Sequence, residues 1–186
     1  MMKSVDKYYK QVKPDRPENL AMNILSCEPM PLPRALPDWL LGMPADICDV
    51  YQYWDAKRGD RRMPSRADID PIDLKHFLPS IMLIDVVGDD RLYVYRLVGT
   101  REVRLRGRDP TGGTVAENFF GSCAKEAMRN YDRVVSSGQP WLDAGACLSA
   151  DERFLDLEAL FLPLSSDGAE VDKILVYTVQ RAVDLP

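Results

Sequence analysis

In the second half of this 186-residue chain, two strand-like apolar runs are followed by helical segments and then by three more strand-like runs. An apolar run at Ile81–Val87 ends at a Gly-Asp-Asp turn, and a second run at Arg91–Val98 follows, which predicts a β-hairpin. Helical segments come next, and three further strands are predicted at 141–148, 153–163 and 173–181. Because sequential strands joined by short turns pair antiparallel, the order predicts an antiparallel sheet interrupted by helices.

The longest helix is predicted between the second and third strands. Ser122 is placed to cap its start, and Gly138 and Pro140 end it. Two shorter helices precede it, one at Thr100–Arg106 and one from Thr114 onward. The apolar residues of the long helix recur at three- and four-residue spacing, which predicts one buried stripe: Ala124, Ala127, Met128, Tyr131, Val134 and Val135.

The first part of the chain differs from the second in composition. Residues 1–45 hold seven of the fourteen prolines and are predicted to form an extension without a fold of its own. Residues 46–80 are predicted to form an N-terminal helix, capped by Asp46, and a capping segment with a short helix from Asp70 to Phe77 that Pro79 stops. Residues 81–186 then form the sheet domain.

The N-terminal helix carries an apolar stripe that has to be buried. Its residues are Ile47, Val50, Tyr51 and Trp54. The outer face of the sheet and a second copy of the chain are the two natural partners. We expect a homodimer that depends on this segment.

Composition limits the classes of function. The net charge of −5 argues against nonspecific nucleic-acid binding, which needs a dense basic face. No apolar run approaches the roughly 18 residues that span a bilayer, so no membrane insertion is expected. No signal peptide is visible, and the four cysteines form no Cys-x-x-Cys pair, so a reducing cytoplasm is the expected location and a structural zinc site is not expected.

Three stretches of the chain resemble a known family. They are Arg61–Pro71, Leu78–Val86, and Tyr95–Thr100 with the following Gly107–Gly112. The chain resembles, over roughly residues 45–181, a bacterial family of short proteins built on a single divergent PAS domain. The resemblance implies an α+β fold with a five-stranded antiparallel sheet flanked by helices, and a role in signal transduction. It supplies no catalytic residues and does not specify a ligand.

Other chemistries find little support in the residues. The loop Gly107–Thr114 is close to a phosphate-binding loop, but Gly113 stands where the lysine is needed. The only histidine, His76, lies outside the long helix from which PAS domains usually bind haem, and Cys123 lacks the context of a flavin-binding cysteine. Asp70 and Asp73 are explained as helix-capping residues, and Asp68 has Arg66 two positions away, so a metal site at these three carboxylates is not expected. The cofactor is therefore unknown, with haem, flavin and metal disfavoured.

Two groups of residues are candidates for binding. A basic run is formed by Arg101, Arg104, Arg106 and Arg108. A solvated helix face is the favoured interpretation of this run, and the alternative is an anion-binding site at Arg104 and Arg108. The concave side of the sheet and the long helix would supply a pocket, although each residue could instead pack the core: Tyr95, Leu97, Met128, Tyr131, Trp141, Phe161 and Tyr177.

These observations predict a stand-alone sensory or regulatory module that binds a small molecule, a protein partner, or both. Because no kinase or cyclase segment lies in the chain, its output would be delivered in trans to a signalling protein. One alternative is a protein-docking adaptor with a filled core and no ligand. The other is a small enzyme on the same scaffold, against which the lone histidine argues.

Overall fold

The computed structural model describes residues 35–90, 92–119, 124–148 and 154–180. Single 3-10 turns lie at Asp38–Leu40, Arg66–Asp68 and Leu78–Ser80. The helices are α1 (Ala45–Arg58), α2 (Thr100–Arg106), α3 (Val115–Asn118) and α4 (Ala124–Ser137). The strands are β1 (Ile81–Val86), β2 (Tyr93–Val98), β3 (Trp141–Leu148), β4 (Phe154–Leu164) and β5 (Lys173–Gln180).

The five strands form one antiparallel sheet in the order β2-β1-β5-β4-β3. The predicted α+β fold with a five-stranded antiparallel sheet is therefore confirmed. The turns between β1 and β2 and between β4 and β5 join neighbouring strands, as short connections do. The helices α2, α3 and α4 form the long connection from β2 to β3 across the sheet.

Pairing registers define two faces of this sheet. Val176 of β5 pairs with Met82 of β1 and Phe161 of β4, so these three side chains lie on one face, here called the inner face. Tyr177 pairs with Ile81 and Leu160, which places those three on the opposite, outer face. Helix α4 packs over β3 and β4 on the inner face, where Tyr131 contacts Phe161.

Helix α1 buries its apolar stripe against β4 and β5 of its own chain. Ile47, Val50 and Trp54 are buried, and Trp54 Nε1 donates a hydrogen bond to the carbonyl oxygen of Pro163 at 2.9 Å. Tyr51 is half-buried, with its ring 5.4 Å from that of Trp39. Of the two predicted partners for the stripe, the chain's own sheet is the one found, so Ile47, Val50 and Trp54 offer no surface to a second copy.

The start of α1 differs from the prediction. Pro44, not Asp46, is the N-cap residue, and no side chain caps the helix. The amides of Ile47 and Cys48 both donate to the Pro44 carbonyl. Asp46 lies in the first turn, where the positive end of the helix dipole stabilises its negative charge. The helix ends at Gly59, which has a positive φ of 56°, as predicted.

The segment 70–80 forms tight turns where a short helix was predicted. Asp70 does accept a hydrogen bond from the amide of Ile72, at 2.8 Å. The following bonds span three residues, from Lys75 to Ile72 and from Phe77 to Leu74. Such bonds build 3-10 geometry, and Pro79 is accommodated inside the turn Leu78–Ser80 rather than stopping a helix before it.

Helix α4 ends at Ser137, before Gly138, as predicted, whereas its predicted cap, Ser122, lies outside the described residues. The predicted extension, residues 1–45, also lies outside them except for its last eleven positions. Among the helices of the described ranges, none is long and apolar enough to cross a membrane.

Candidate functional site

Aromatic side chains from β2, α4 and β4 stack on the inner face. The ring of Tyr131 stacks on that of Tyr93 at a 30° tilt, with centroids 5.1 Å apart, and meets Phe161 edge-on at 5.2 Å. The stripe of α4 aims Tyr131 at the sheet, and all three rings are buried. Aromatic pairs in these geometries add stability beyond the area they bury, so this layer holds α4 in place.

A buried ion pair lies beside the aromatic layer. Glu102 is in the first turn of α2 and Arg106 follows four residues later, so both project from one side of the helix. Arg106 Nη1 is 2.6 Å from Glu102 Oε2, and their side chains are only 7% and 2% exposed. Thr178 Oγ1 of β5 donates to the other oxygen, Glu102 Oε1, at 2.5 Å. The network therefore ties α2 to the centre of the sheet.

The Arg106 guanidinium has apolar neighbours as well. It lies over the ring of Tyr95, 5.7 Å from the centroid, and Nη2 donates to the sulfur of Met82 at 3.2 Å. Burial opposes its positive charge, but attraction to Glu102 keeps the pKa of Arg106 above its ordinary value. The guanidinium is therefore a fixed cation inside the domain.

The inner-face tyrosines are held in their neutral form. Burial raises the pKa of Tyr131 well above its ordinary value and also raises that of Tyr95. Burial, helped by a 2.6 Å hydrogen bond from its hydroxyl to Asp132, raises the pKa of Tyr93. Because these pKa values are raised, the three phenols keep their protons at neutral pH.

A second polar group lies where α4 meets β3. Asn130 donates to Asp143 at 2.7 Å and accepts from Trp141 Nε1 at 3.1 Å. The Arg133 guanidinium lies 3.8 Å from the centroid of the Trp141 ring. Trp141 and Met128 are only half-buried, so this margin of the inner face retains accessible apolar surface.

The structure divides the predicted pocket residues between the two faces. Tyr95, Tyr131, Trp141 and Phe161 lie on the inner face, and Met128 packs against the same core from α4. Two others do not join them: Leu97 and Tyr177.

Their placement follows from the strand registers. Leu97 pairs with Leu83 whereas Tyr95 pairs with Ile84, because a bulge in β2 shifts the register between them. Leu97 is consequently on the outer face and 44% exposed. Tyr177 is on the outer face as well, where its ring meets Phe77 edge-on with centroids 5.6 Å apart.

The predicted anion-binding residues are separate from the ion pair. Arg104 and Arg108 are both exposed. Their neighbour Arg106 was assigned to the same solvated run, and sequence reasoning missed its pairing with Glu102. The available signal was that Arg106 lies four residues after Glu102, whereas neither Arg104 nor Arg108 lies four residues from an acidic residue.

The loop that resembles a phosphate-binding loop has a structural role. Asp109 accepts hydrogen bonds from the Thr111 hydroxyl at 2.7 Å and amide at 3.0 Å, which lower the pKa of Asp109. The Gly112 amide donates to the Tyr95 carbonyl, and the Tyr95 amide donates to the Gly113 carbonyl. The loop is therefore a tight turn, as its residues indicate. It pairs with the edge of β2 that faces away from β1.

Carboxylates elsewhere are engaged in local structure. Asp68 Oδ2 accepts from the amide and hydroxyl of Ser65 and lies 2.9 Å from Arg61 Nη1. Within the described ranges, no three or more His, Cys, Asp or Glu side chains are grouped to hold a metal ion.

Comparison with known proteins agrees with this architecture. The sequence model of a family described as a PAS domain matches residues 44–178, which is more than half of the chain. The chain belongs to this PAS domain family. No curated protein matches it significantly.

Solved structures match parts of the chain at low sequence identity. The Rhodobacter sphaeroides LOV protein is 12% identical, with a TM-score of 0.47 over 62% of this chain and 70% of that one. The Vibrio cholerae VqmA dimer is 15% identical, with a TM-score of 0.49 over 60% of this chain and 50% of that one. The Drosophila melanogaster Cycle PAS-B domain, with bound ethylene glycol, is 12% identical, with a TM-score of 0.42 over 54% of this chain and 98% of that one.

Proposed function

We propose that this PAS domain is a sensory or regulatory module whose inner face binds a small molecule. In this proposal, Arg106 and Glu102 are the polar recognition pair, and the aromatic side chains Tyr95, Tyr131 and Phe161 are the apolar walls. The bound state is passed to a partner protein through a change in the position of α2.

The buried ion pair is the observation that carries the proposal. A buried salt bridge adds little net stability, because desolvating two charges offsets their attraction, and apolar residues of the same volume often serve a fold better. A ligand site, in contrast, combines mostly apolar and aromatic walls with a few convergent polar groups. The surroundings of Arg106 and Glu102 have this composition.

The mechanism would be a shift between two arrangements of α2. This helix carries both charges and is anchored to β5 through Thr178. A ligand that competes for these hydrogen bonds stabilises the arrangement in which α2 has moved. A differential affinity of about 3–5 kcal/mol between the two arrangements is enough to make the shift nearly complete.

Native mass spectrometry of the freshly purified full chain tests the proposal. We expect a retained small molecule, and we expect it to be lost from a variant that carries Glu102→Leu, Arg106→Met and Thr178→Val together. The same spectrum counts the copies of the chain and so tests the homodimer expected from the sequence. A bare protein mass, together with no thermal stabilisation by fractionated cell extract, would contradict ligand binding.

A docking adaptor with a filled core is the second candidate function. It is favoured by the dense packing of the inner face, where Tyr95 is 1% exposed and Phe161 is 5% exposed. The exposed Trp39 and Leu41 offer apolar surface for a partner protein. A bare mass in the native spectrum, combined with a partner that the Leu41→Ser variant no longer captures, would favour this function.

A further inference from the structure

We propose that β3 is a self-association strand, whose open edge pairs antiparallel with the same edge of β3 in a second copy of the chain. The product is a symmetric dimer in which one continuous sheet runs through both protomers. The proposal does not depend on ligand binding by the domain.

The two edges of the sheet differ in what covers them. On the β2 edge, Tyr95 donates a backbone hydrogen bond to Gly113 and accepts one from Gly112. The neighbouring Val94 forms a bridge to Thr114. At the other edge, β3 pairs with β4 on one side, and no strand of the described ranges pairs with its other side. The backbone groups that point to that side are a template for one more strand.

The strand β3 also lacks the features that keep natural edge strands from pairing, which are proline, lysine, a bulge or a short length. All 8 positions from Trp141 to Leu148 pair with β4 in one unbroken register, whereas β2 has 6 residues and a bulge. Asp143 is the only charged residue of β3, and the neighbouring Ala144 is exposed. An edge of this length and regularity is suited to a further strand.

The charge of β3 favours an antiparallel copy and selects its register. In a parallel, in-register pair the two Asp143 residues would be neighbours across about 4.8 Å, and directly opposed like charges are destabilising. In an antiparallel pair centred on Gly145, Asp143 of one copy lies opposite Cys147 of the second copy. The two aspartates are then four residues apart along the strands, or about 13 Å, which exceeds the screening length of about 10 Å in 0.1 M salt.

The size of the contact sets its strength. A single strand pair buries less surface than the roughly 1,200–2,000 Å² of a stable protein–protein interface, so we expect a reversible dimer that forms at micromolar or higher concentration. The apolar stripe of α1 does not strengthen it, because Ile47, Val50 and Trp54 are buried within their own chain.

Analytical ultracentrifugation of the full chain, from micromolar to near-millimolar concentration, tests the proposal. We expect the average mass to rise from that of one chain towards that of two. Ala144→Lys places one positive charge from each copy near the two-fold axis, and we expect it to weaken the dimer at least about tenfold. Ala56→Lys, the same substitution at an exposed position of α1, is the matched control and should associate like the wild type.

Hydrogen exchange locates the contact without any substitution, so it decides even if Ala144→Lys does not fold. The amides on the open side of β3 should exchange more slowly at high than at low protein concentration, whereas the covered edge of β2 should not change. The proposal would be overturned by a mass of one chain at every concentration, by a folded Ala144→Lys variant that dimerises like the wild type, or by protection confined to segments other than β3.

Discussion

Tyr177 and Thr178 are consecutive residues of β5 that contact opposite layers of the domain. Thr178 donates to Glu102 of α2 on the inner face. Tyr177, on the outer face, meets Phe77 edge-on and lies with its hydroxyl 3.4 Å from Asp46 of α1. One step along the central strand thus separates the buried ion pair from the N-terminal helix.

This arrangement gives a short physical route between the two layers. Protein interiors are close-packed, so a displacement of one buried group acts on its neighbours. If a ligand moves Glu102, the hydrogen bond from Thr178 to Glu102 changes. Because a peptide bond joins Thr178 to Tyr177, a shift of Thr178 also acts on Tyr177. Under the proposed function, a movement of α2 would therefore also act on the outer surface near α1.

The ion pair makes removal of one partner costly. Glu102→Leu leaves the Arg106 guanidinium buried without its carboxylate, and we expect the free energy of unfolding to fall by about 3–5 kcal/mol. Urea denaturation followed by far-UV circular dichroism measures this change. The triple variant Glu102→Leu, Arg106→Met and Thr178→Val should recover most of the loss.

Arg104→Leu is the matched control for that experiment. It removes an exposed charge from the same helix, and we expect a change within about 0.5 kcal/mol. A Glu102→Leu variant as stable as Arg104→Leu would show that the pair is not buried as described.

The bulge in β2 predicts unequal effects for two residues that lie two positions apart. Tyr95 is 1% exposed on the inner face, and Leu97 is 44% exposed on the outer face. We expect Tyr95→Ala to cost about 3–5 kcal/mol of unfolding free energy, the range for large aromatic core residues, and Leu97→Ala less than about 1 kcal/mol. Chemical denaturation of both variants measures these losses of unfolding free energy. Equal losses would place the two side chains on one face.

The same two residues show where sequence reasoning ends. Strict alternation along a strand predicts that Tyr95 and Leu97 share a face. The bulge reverses this, and a bulge depends on the partner strand, so it leaves no trace in the hydrophobic period. The strands themselves were predicted to within a few residues, because their apolar runs are bounded by turn-forming Gly, Asp and Pro.

Arg106 shows a second limit. Charged residues four apart on a helix are usually a solvated surface pair, so the pattern alone favoured that interpretation. Burial of the pair follows from how α2 docks on the sheet. That docking depends on the close approach at Gly99, where a Cβ would clash with the carbonyl oxygens of Leu78 and Pro79. Contacts of this kind between distant segments are invisible to periodicity.

The intrachain burial of the α1 stripe predicts a loss of stability without a change of assembly. Ile47 is fully buried, so Ile47→Ala should lower the free energy of unfolding by about 2–5 kcal/mol. The exposed Asp49→Ala in the same helix should cost no more than about 1 kcal/mol. Light scattering should give the same mass for folded wild type and Ile47→Ala. A halved mass with unchanged stability would return the stripe to a dimer interface.

Tyr177 predicts a loss of stability in alkali. Burial, and then the negative charge and hydrogen bond of Asp46, raise the pKa of Tyr177 to about 12, while an unfolded tyrosine titrates near 10. Up to about pH 10 both states hold the proton and the contribution is complete. Between about pH 10 and 12 only the unfolded state releases it, so stability falls. The free-energy difference between wild type and Tyr177→Phe should therefore shrink across this window.

Denaturation of both proteins at about pH 9 and about pH 11.5 measures that difference, since these values lie on either side of the point where the unfolded phenol ionises. Asp46→Asn is the control, because it removes the charge that opposes ionisation and should lower the pKa of Tyr177. In the Asp46→Asn background, the fall in stability should start at the same pH and end at a lower pH. A difference that stays constant over the whole range would mean that the Tyr177 hydroxyl is solvated, and that α1 does not cover it.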